Sequence, residues 1–122
     1  MRVLVCGSRR FDNRDKLFHT LDELNASAPE FLEIVSGGAR GADELAREWA
    51  VKNGVDHHIF YARWEQEGRS AGPRRNQRMI DTRPDVVIAF KPHSVGPTKG
   101  TDHMLRLALK ARWKISIKEV YG

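Results

Sequence analysis

The sequence predicts an α/β fold, a Rossmann-like three-layer sandwich around a mostly parallel sheet of five strands. Short apolar runs that stop at glycine alternate with amphipathic helical patterns along the whole chain. The connections between them are short, which suits parallel strands joined by helices. With 122 residues the chain has the length of one domain, and we expect residues 1–122 to form it.

Five segments have the character of strands. The first runs straight into Gly7 and the second into Gly37 and Gly38, and β-rich runs stopped by glycine are typical of buried strands. The last segment alternates apolar and polar residues, which is typical of a half-buried edge strand. The predicted strands cover residues 3–5, 34–35, 59–61, 86–90 and 115–117.

Four helical patterns lie between these strands. The first places Leu17, Leu21 and Leu24 on one face. A cap for this helix is available at either Asp12 or Asn13. The other three patterns cover residues 42–53, about 73–80 and about 101–112. Residues 63–72 show no regular pattern, and we expect them to form a ligand-facing flap.

Glycine and basic residues gather where three of the predicted strands end. In parallel sheets these carboxyl ends share one edge, and open α/β folds bind their ligands there. Glycine lets the backbone approach a phosphate, and a helix that follows such a loop attracts anions with its N-terminus. The expected ligand-binding residues in these loops are Gly7, Ser8, Arg9, Ser36, Gly37, Gly38, Ala39, Arg40, Gly41, Asp43, Lys99, Gly100 and Thr101.

Three further side chains are candidates for the same site. Arg75 and Asn76 begin the third helix, where a guanidinium and an amide could hold a phosphate or a ribose. Trp64 follows the third strand and could stack on a base or pack under the flap. Asp43 could cap the second helix or accept a ribose hydroxyl.

The net charge of +5 favours partners that carry phosphate, either small nucleotides or nucleic acid. Much of the excess lies between residues 63 and 83, where six arginines occur. The loop of residues 36–43 has neither the Gly-Lys-Ser/Thr ending of a Walker motif nor the spacing of the dinucleotide fingerprint, so a standard ATPase or dehydrogenase is not predicted.

Several classes of function are excluded by the same residues. The five histidines lack the spacing of metal ligands, so we expect no metal site and no cofactor. Cys6 ends an apolar strand, which favours an inert core thiol over a nucleophile. Because no apolar run is long enough to span a bilayer and one cysteine forms no internal disulfide, we expect no membrane partner and a cytoplasmic location.

The loops resemble those of the SLOG superfamily, named for the Smf/DprA proteins and the Lonely Guy enzymes, and especially its small YspA-like branch. The resemblance covers nearly the whole chain. Its carriers are residues 3–9 with Phe11, residues 36–43 with Ala46, Trp49 and Ala50, residues 71–72 with Arg75, Asn76 and Met79, and Gly100, Thr101 and Met104. The resemblance implies a Rossmann-like sheet whose pocket senses, sequesters or processes a nucleotide or a nucleotide-derived small molecule.

Two alternatives follow from the resemblance. In the phosphoribohydrolases of this superfamily an arginine and a glutamate cleave nucleoside monophosphates, and Arg75 matches the arginine. The glutamate position falls on Met104, and residues 95–99 replace a Pro-Gly-Gly run, so hydrolysis would need Glu44 or Asp102 instead. The DprA-like relatives bind single-stranded DNA with a loop similar to residues 36–43. The resemblance also implies a homodimer, paired through helices beside the pocket.

Overall fold

The computed structural model describes residues 1–28, 31–93 and 98–122. This part of the chain contains five strands and five helices, with a short 3₁₀ turn over Gly68–Ser70. The strands are β1 Arg2–Gly7, β2 Glu33–Ser36, β3 Asp56–Ile59, β4 Val86–Lys91 and β5 Ser116–Tyr121. The helices are α1 Arg14–Ser27, α2 Ala42–Asn53, α3 Trp64–Glu67, α4 Ala71–Ile80 and α5 Lys99–Lys110.

The five strands form one sheet in the order β3-β2-β1-β4-β5, and every neighbouring pair is parallel. The predicted α/β Rossmann-like sandwich is thereby confirmed. Strand order reverses between β1 and β4, since the chain first builds outward from β1 to β3 and then returns to the other side of β1. In open parallel sheets a crevice forms at this switch point.

The sheet separates two hydrophobic cores because side chains alternate between its faces. Residues Val3, Val5, Ile34, Ile88 and Phe90 face the core that contains α1 and α2. The opposite face packs against α4 and α5 through Leu4, Cys6, Val35, Val87 and Ala89. None of the helices in the described residues combines the length and the hydrophobicity that crossing a membrane requires.

The helix caps follow the predicted chemistry at two ends. Asn13 caps α1, because its side chain accepts a hydrogen bond from the Lys16 amide at 3.1 Å. Gly54 ends α2 in the left-handed conformation, with φ of 63°. Asn13 therefore fixes the start of α1, and Gly54 fixes the end of α2.

Several predicted boundaries were wrong. Strand β5 runs over Ser116–Tyr121 rather than residues 115–117, and helix α5 ends at Lys110 rather than at residue 112. Strand β3 ends at Ile59, because the ladder with β2 pairs His57 and His58 despite their polar side chains, and residues 60–61 lie beyond it. Residues 63–72 are mostly helical rather than irregular, since Glu, Gln and Glu favour a turn whose amides bond to the Arg63 carbonyl. Helix α5 begins at Lys99, two residues before the predicted start.

Trp49 joins the two helices of the first core. Its side chain is fully buried, and its Nε1–H donates to Asp22 Oδ1 of α1 at 2.8 Å. The Asn53 amide in turn donates to the Trp49 carbonyl at 2.8 Å. The indole therefore contributes both buried volume and a hydrogen bond between α1 and α2.

We predict that Trp49→Phe lowers the free energy of unfolding by about 1–3 kcal/mol, because it removes this hydrogen bond and leaves a cavity. Urea denaturation measures the change. Trp113→Phe is the control, since the Trp113 indole also donates one hydrogen bond, to the Pro84 carbonyl, but is only half-buried. Equal losses in the two variants would contradict the role given to burial of Trp49.

Candidate functional site

A first cavity of about 330 Å³ opens at the switch point, between the carboxyl ends of β1 and β4. The loop after β1 forms one wall, the N-terminus of α5 a second and α4 a third. Its lining residues are Cys6, Gly7, Ser8, Arg9, Arg10, Ala39, Asp43, Arg75, Asn76, Met79, Thr98, Lys99, Gly100 and Thr101. The volume lies near the lower end of the ~300–1,000 Å³ usual for small-molecule sites.

A second cavity of about 330 Å³ adjoins the first on the side of β3. The two cavities have Arg9, Ala39 and Arg75 in common. The remaining residues that line the second cavity are Gly37, Gly38, Arg40, Tyr61, Ala62 and Trp64. A ligand of sufficient length can therefore occupy both cavities while it contacts the same two arginines.

Most of the predicted ligand-binding residues line one of these cavities. Two do not. Ser36 is buried at the end of β2, where its carbonyl accepts the Phe60 amide at 2.8 Å. Gly41 lies behind the first cavity, against the loop after β1. Residues 95–97, which the sequence analysis compared with a Pro-Gly-Gly run, lie outside the described residues.

The backbone of Ser8 ties the elements around the first cavity together. Its amide donates to the Phe90 carbonyl of β4 at 3.0 Å, and its carbonyl accepts the Ala42 amide of α2 at 3.3 Å. The Ser8 hydroxyl accepts the Arg10 amide at 3.0 Å and closes the turn. Since Ser8 uses the first amide of α2, that helix N-terminus is less available to a ligand than the sequence predicted.

Arg75 reaches from α4 to the loop after β2. Its Nη1 donates to the Gly37 carbonyl at 2.5 Å and to the Phe60 carbonyl at 3.4 Å. A Cβ atom on Gly37 would lie 2.7 Å from Arg75 Cζ, so a side chain at this position would displace the guanidinium. Burial lowers the pKa of Arg75, but the nearby Asp43 opposes that shift. The guanidinium is thus held in place between the two cavities.

Asn76 is buried and its amide is already used by the protein. Its Oδ1 accepts Arg75 Nε at 3.1 Å, and its Nδ2 donates to the Gly100 carbonyl at 3.1 Å. The same Nδ2 lies 3.1 Å from His103 Nδ1, whose pKa is lowered by burial and then by Arg106. Asn76 therefore positions Arg75 and the first turn of α5.

Asp43 is a buried carboxyl group in the wall of the first cavity. Gly41 is the N-cap of α2, so the predicted capping role of Asp43 was wrong. Its Oδ2 instead accepts the Ala39 amide of the preceding loop at 3.1 Å. Burial raises the pKa of Asp43 to about 6, against the opposing effects of that amide and of Arg75.

The other two carboxyl groups considered for catalysis lie elsewhere. Glu44 is exposed and borders neither cavity. Asp102 also borders neither cavity and forms an ion pair with Lys91 at 3.6 Å. Among the described residues that line the first cavity, Asp43 carries the only carboxyl group, beside the four basic side chains of Arg9, Arg10, Arg75 and Lys99.

Other arginines of the basic segment are directed away from the cavities. Arg74 and Arg78 of α4 each lie 3.5 Å from Glu67, and Arg83 stacks on Trp113 with its Cζ 4.8 Å from the ring centre. In the described ranges no group of three or more His, Cys, Asp or Glu side chains could hold a metal ion. Local positive charge at the cavities thus comes from the loops and Arg75.

Sequence reasoning missed several residues of the cavities. Arg10, Thr98, Tyr61 and Ala62 line them without having been predicted, and Cys6 and Met79 form part of the apolar floor of the first. Burial raises the pKa of the Cys6 thiol far above its usual range, which is consistent with an inert side chain. Tyr61 was missed because the predicted strand of residues 59–61 included it. Since β3 ends at Ile59, Tyr61 lies in the loop at the carboxyl edge of the sheet.

Comparisons with known proteins find a family model and a relative that match this chain. The model of the family described as YAcAr, the YspA, cpYpsA-related SLOG family, matches residues 1–66. The Gene 61 protein of Mycobacterium phage D29 is 41% identical over 116 residues, which cover 90% of each chain. No solved structure matches this chain. The matched family segment contains the loops after β1 and β2, which carry many of the cavity residues.

We predict that Gly41→Ala destabilises the protein more than Gly54→Ala does. Both glycines have positive φ, 79° and 63°, so both substitutions carry a conformational cost of ~1–2 kcal/mol. A Cβ atom on Gly41 would also lie 2.7 Å from the Arg9 carbonyl carbon, whereas no atom lies within 4 Å of a Cβ atom on Gly54. Thermal unfolding measures both variants, and equal losses would contradict the close approach at Gly41.

A second prediction concerns the pH dependence of stability. Between pH 3.8 and about 6 the folded protein binds more protons at Asp43 than the unfolded chain does, so its contribution to stability falls as pH rises through this window. In Asp43→Asn this fall, on the order of 2 kcal/mol, should be absent.

Unfolding free energies measured from pH 4 to pH 7 test this expectation. Asp56→Asn serves as the control, since Asp56 is an exposed carboxyl group on β3. An unchanged pH profile in Asp43→Asn, or the same flattening in Asp56→Asn, would refute the burial effect at Asp43.

Proposed function

Because the chain belongs to the YspA, cpYpsA-related SLOG family, we propose that it binds a nucleotide or a nucleotide-derived small molecule at the two adjoining cavities. The protein would act as a sensor or a sequestering module. Family membership by itself supports a nucleotide-related ligand. The binding unit we propose is residues 1–122.

The observation that carries the proposal is the charge of the first cavity. Four basic side chains surround it with one buried carboxyl group, and it lies at the switch point where open α/β sheets bind ligands. Arg75 is partly buried, which strengthens its attraction for an anion, while Arg9, Arg10 and Lys99 are exposed. A phosphate is the anion that nucleotides offer, and arginine side chains bind it in a forked geometry.

The internal hydrogen bonds favour one side of the cavity for that phosphate. Asp43 already accepts the Ala39 amide of the loop after β2, and Ser8 already accepts the first amide of α2. Asp43 therefore already supplies, at the loop after β2, the negative charge that a phosphate would otherwise bring. Lys99, Gly100 and Thr101 at the start of α5, together with Arg9 across the cavity, form the better phosphate site.

Binding is favoured over hydrolysis by the position of the carboxyl groups. A phosphoribohydrolase needs a carboxylate beside the glycosidic bond, and Glu44 and Asp102 border neither cavity. Asp43 does border the first cavity, but its Oδ2 is engaged by a loop amide. Single-stranded DNA binding of the DprA-like kind remains the second alternative, since the basic cavity walls would also suit a nucleic-acid backbone.

Two further expectations stay predictions. A homodimer would pair two such cavities, and sedimentation at two concentrations tests it. The second expectation is a cytoplasmic location.

We predict that ADP and pyrophosphate raise the melting temperature of the protein by several degrees at concentrations about a hundred times the dissociation constant. Arg9→Ala should lose most of this shift, because Arg9 borders both cavities. In the described part of the chain the Arg9 side chain makes no ion pair or hydrogen bond, so its removal should leave the fold intact. A thermal-shift assay provides the measurement.

Arg74→Ala is the matched control, since Arg74 lies on α4 beside Arg75 but pairs with Glu67 outside both cavities. It should keep the full shift. If no nucleotide shifts the melting temperature at millimolar concentration, the proposed function fails. Chromatography of the same mixtures reports on turnover, and release of free base from a nucleoside monophosphate would favour the hydrolase instead.

A further inference from the structure

The second cavity contains two aromatic side chains that the phosphate site does not explain. Tyr61 and Trp64 follow the end of β3, and 62% and 53% of their respective surfaces are exposed. Large aromatic side chains are usually more buried than this, and adjacent exposed ones mark binding surfaces. Here both line the same cavity, next to the loop of Gly38 and Ala39.

Each of the two rings packs against a glycine. A Cβ atom on Gly38 would lie 2.6 Å from Tyr61 Cε1, so the tyrosine ring packs directly on the loop backbone. A Cβ atom on Gly72 would lie 3.5 Å from Trp64 Cη2, which places the indole against the start of α4. The rings are therefore fixed on one side while their remaining surfaces stay open to the cavity.

The charges of the second cavity complement these rings. Arg9, Arg40 and Arg75 line it, and none of its described lining residues is acidic. Arginine and aromatic side chains together suit a flat ring system, because both stack on its faces. The cationic walls at the same time require a ligand whose charge is negative. A nucleobase that is linked to phosphate meets both conditions.

Resting on the proposed function, we propose that the second cavity is a base-binding subsite and that the ligand is a nucleoside diphosphate. Its base would lie against Tyr61 and Trp64, and its diphosphate would extend past Arg9 and Arg75 to Lys99 in the first cavity. The basic side chains are spread over both cavities, which favours a diphosphate over a single phosphate group.

The experiment compares ADP with pyrophosphate, which lacks the base and the sugar. Calorimetry gives the two affinities, and quenching of tryptophan fluorescence reports stacking. We expect ADP to bind the protein at least tenfold more tightly than pyrophosphate and to quench its fluorescence. In Trp64→Ala the ADP affinity should fall roughly tenfold, towards that of pyrophosphate, while pyrophosphate binding changes little. Tyr61→Ala should show a similar but independent loss.

Trp113→Phe controls for the origin of the signal, since Trp113 lies in the second core away from the cavities. It should retain the quenching. Trp64→Phe separates ring stacking from folding, because it should restore most of the ADP affinity. GDP, CDP and UDP in the same assay show which base the subsite prefers.

The outcomes separate this proposal from the proposed function. Pyrophosphate binding without tighter binding of any nucleoside diphosphate would overturn the base subsite and leave the phosphate site standing. Failure of all these ligands to bind would overturn both. Quenching of Trp64 by oligothymidine, with affinity that rises with length and no response to nucleoside diphosphates, would assign the aromatic pair to single-stranded DNA and refute the subsite.

Discussion

The structure depends on the close approach of the chain after β1 to β4 and α2. Ser8 makes this contact through its backbone, which bonds to Phe90 on one side and to Ala42 on the other. Gly7 and Gly41 allow it, since a Cβ atom on Gly7 would lie 2.7 Å from the Ala42 Cβ, and one on Gly41 would contact the loop backbone. The sheet centre, the start of α2 and the floor of the first cavity are therefore fixed by the same few atoms.

The polar groups of the site are arranged around this fixed loop and mostly satisfy one another. Asp43 bonds to Ala39, Arg75 to Gly37, and Asn76 connects Arg75 to the first turn of α5. Burial of Asp43 is unfavourable for its charged form, as its raised pKa of about 6 indicates. The protein thus keeps a carboxylate where it costs stability, which is typical of a site maintained for function.

The sequence was sufficient to predict the strands and helices whose burial leaves a clear pattern of apolar residues. Strands β1 and β4 are buried on both faces, so they appear as continuous apolar runs, and Gly54 marks the end of α2. The end of β3 was missed because an edge strand tolerates polar residues such as His57 and His58. The loops of the site could be located, but the partners within them could not. Asn76 and His103 are 27 residues apart, and Arg75 and Gly37 are 38 apart, so no local pattern reveals these contacts.

Gly37 has a further consequence for the thermodynamics of recognition. A Cβ atom at this position would lie 2.7 Å from Arg75 Cζ and 3.1 Å from Asp43 Oδ2. The loop therefore packs closely against both side chains. The conformational entropy of ordering the loop is therefore lost during folding rather than during association. A ligand therefore meets a preorganised surface, and little of its interaction energy is spent on rearranging the protein.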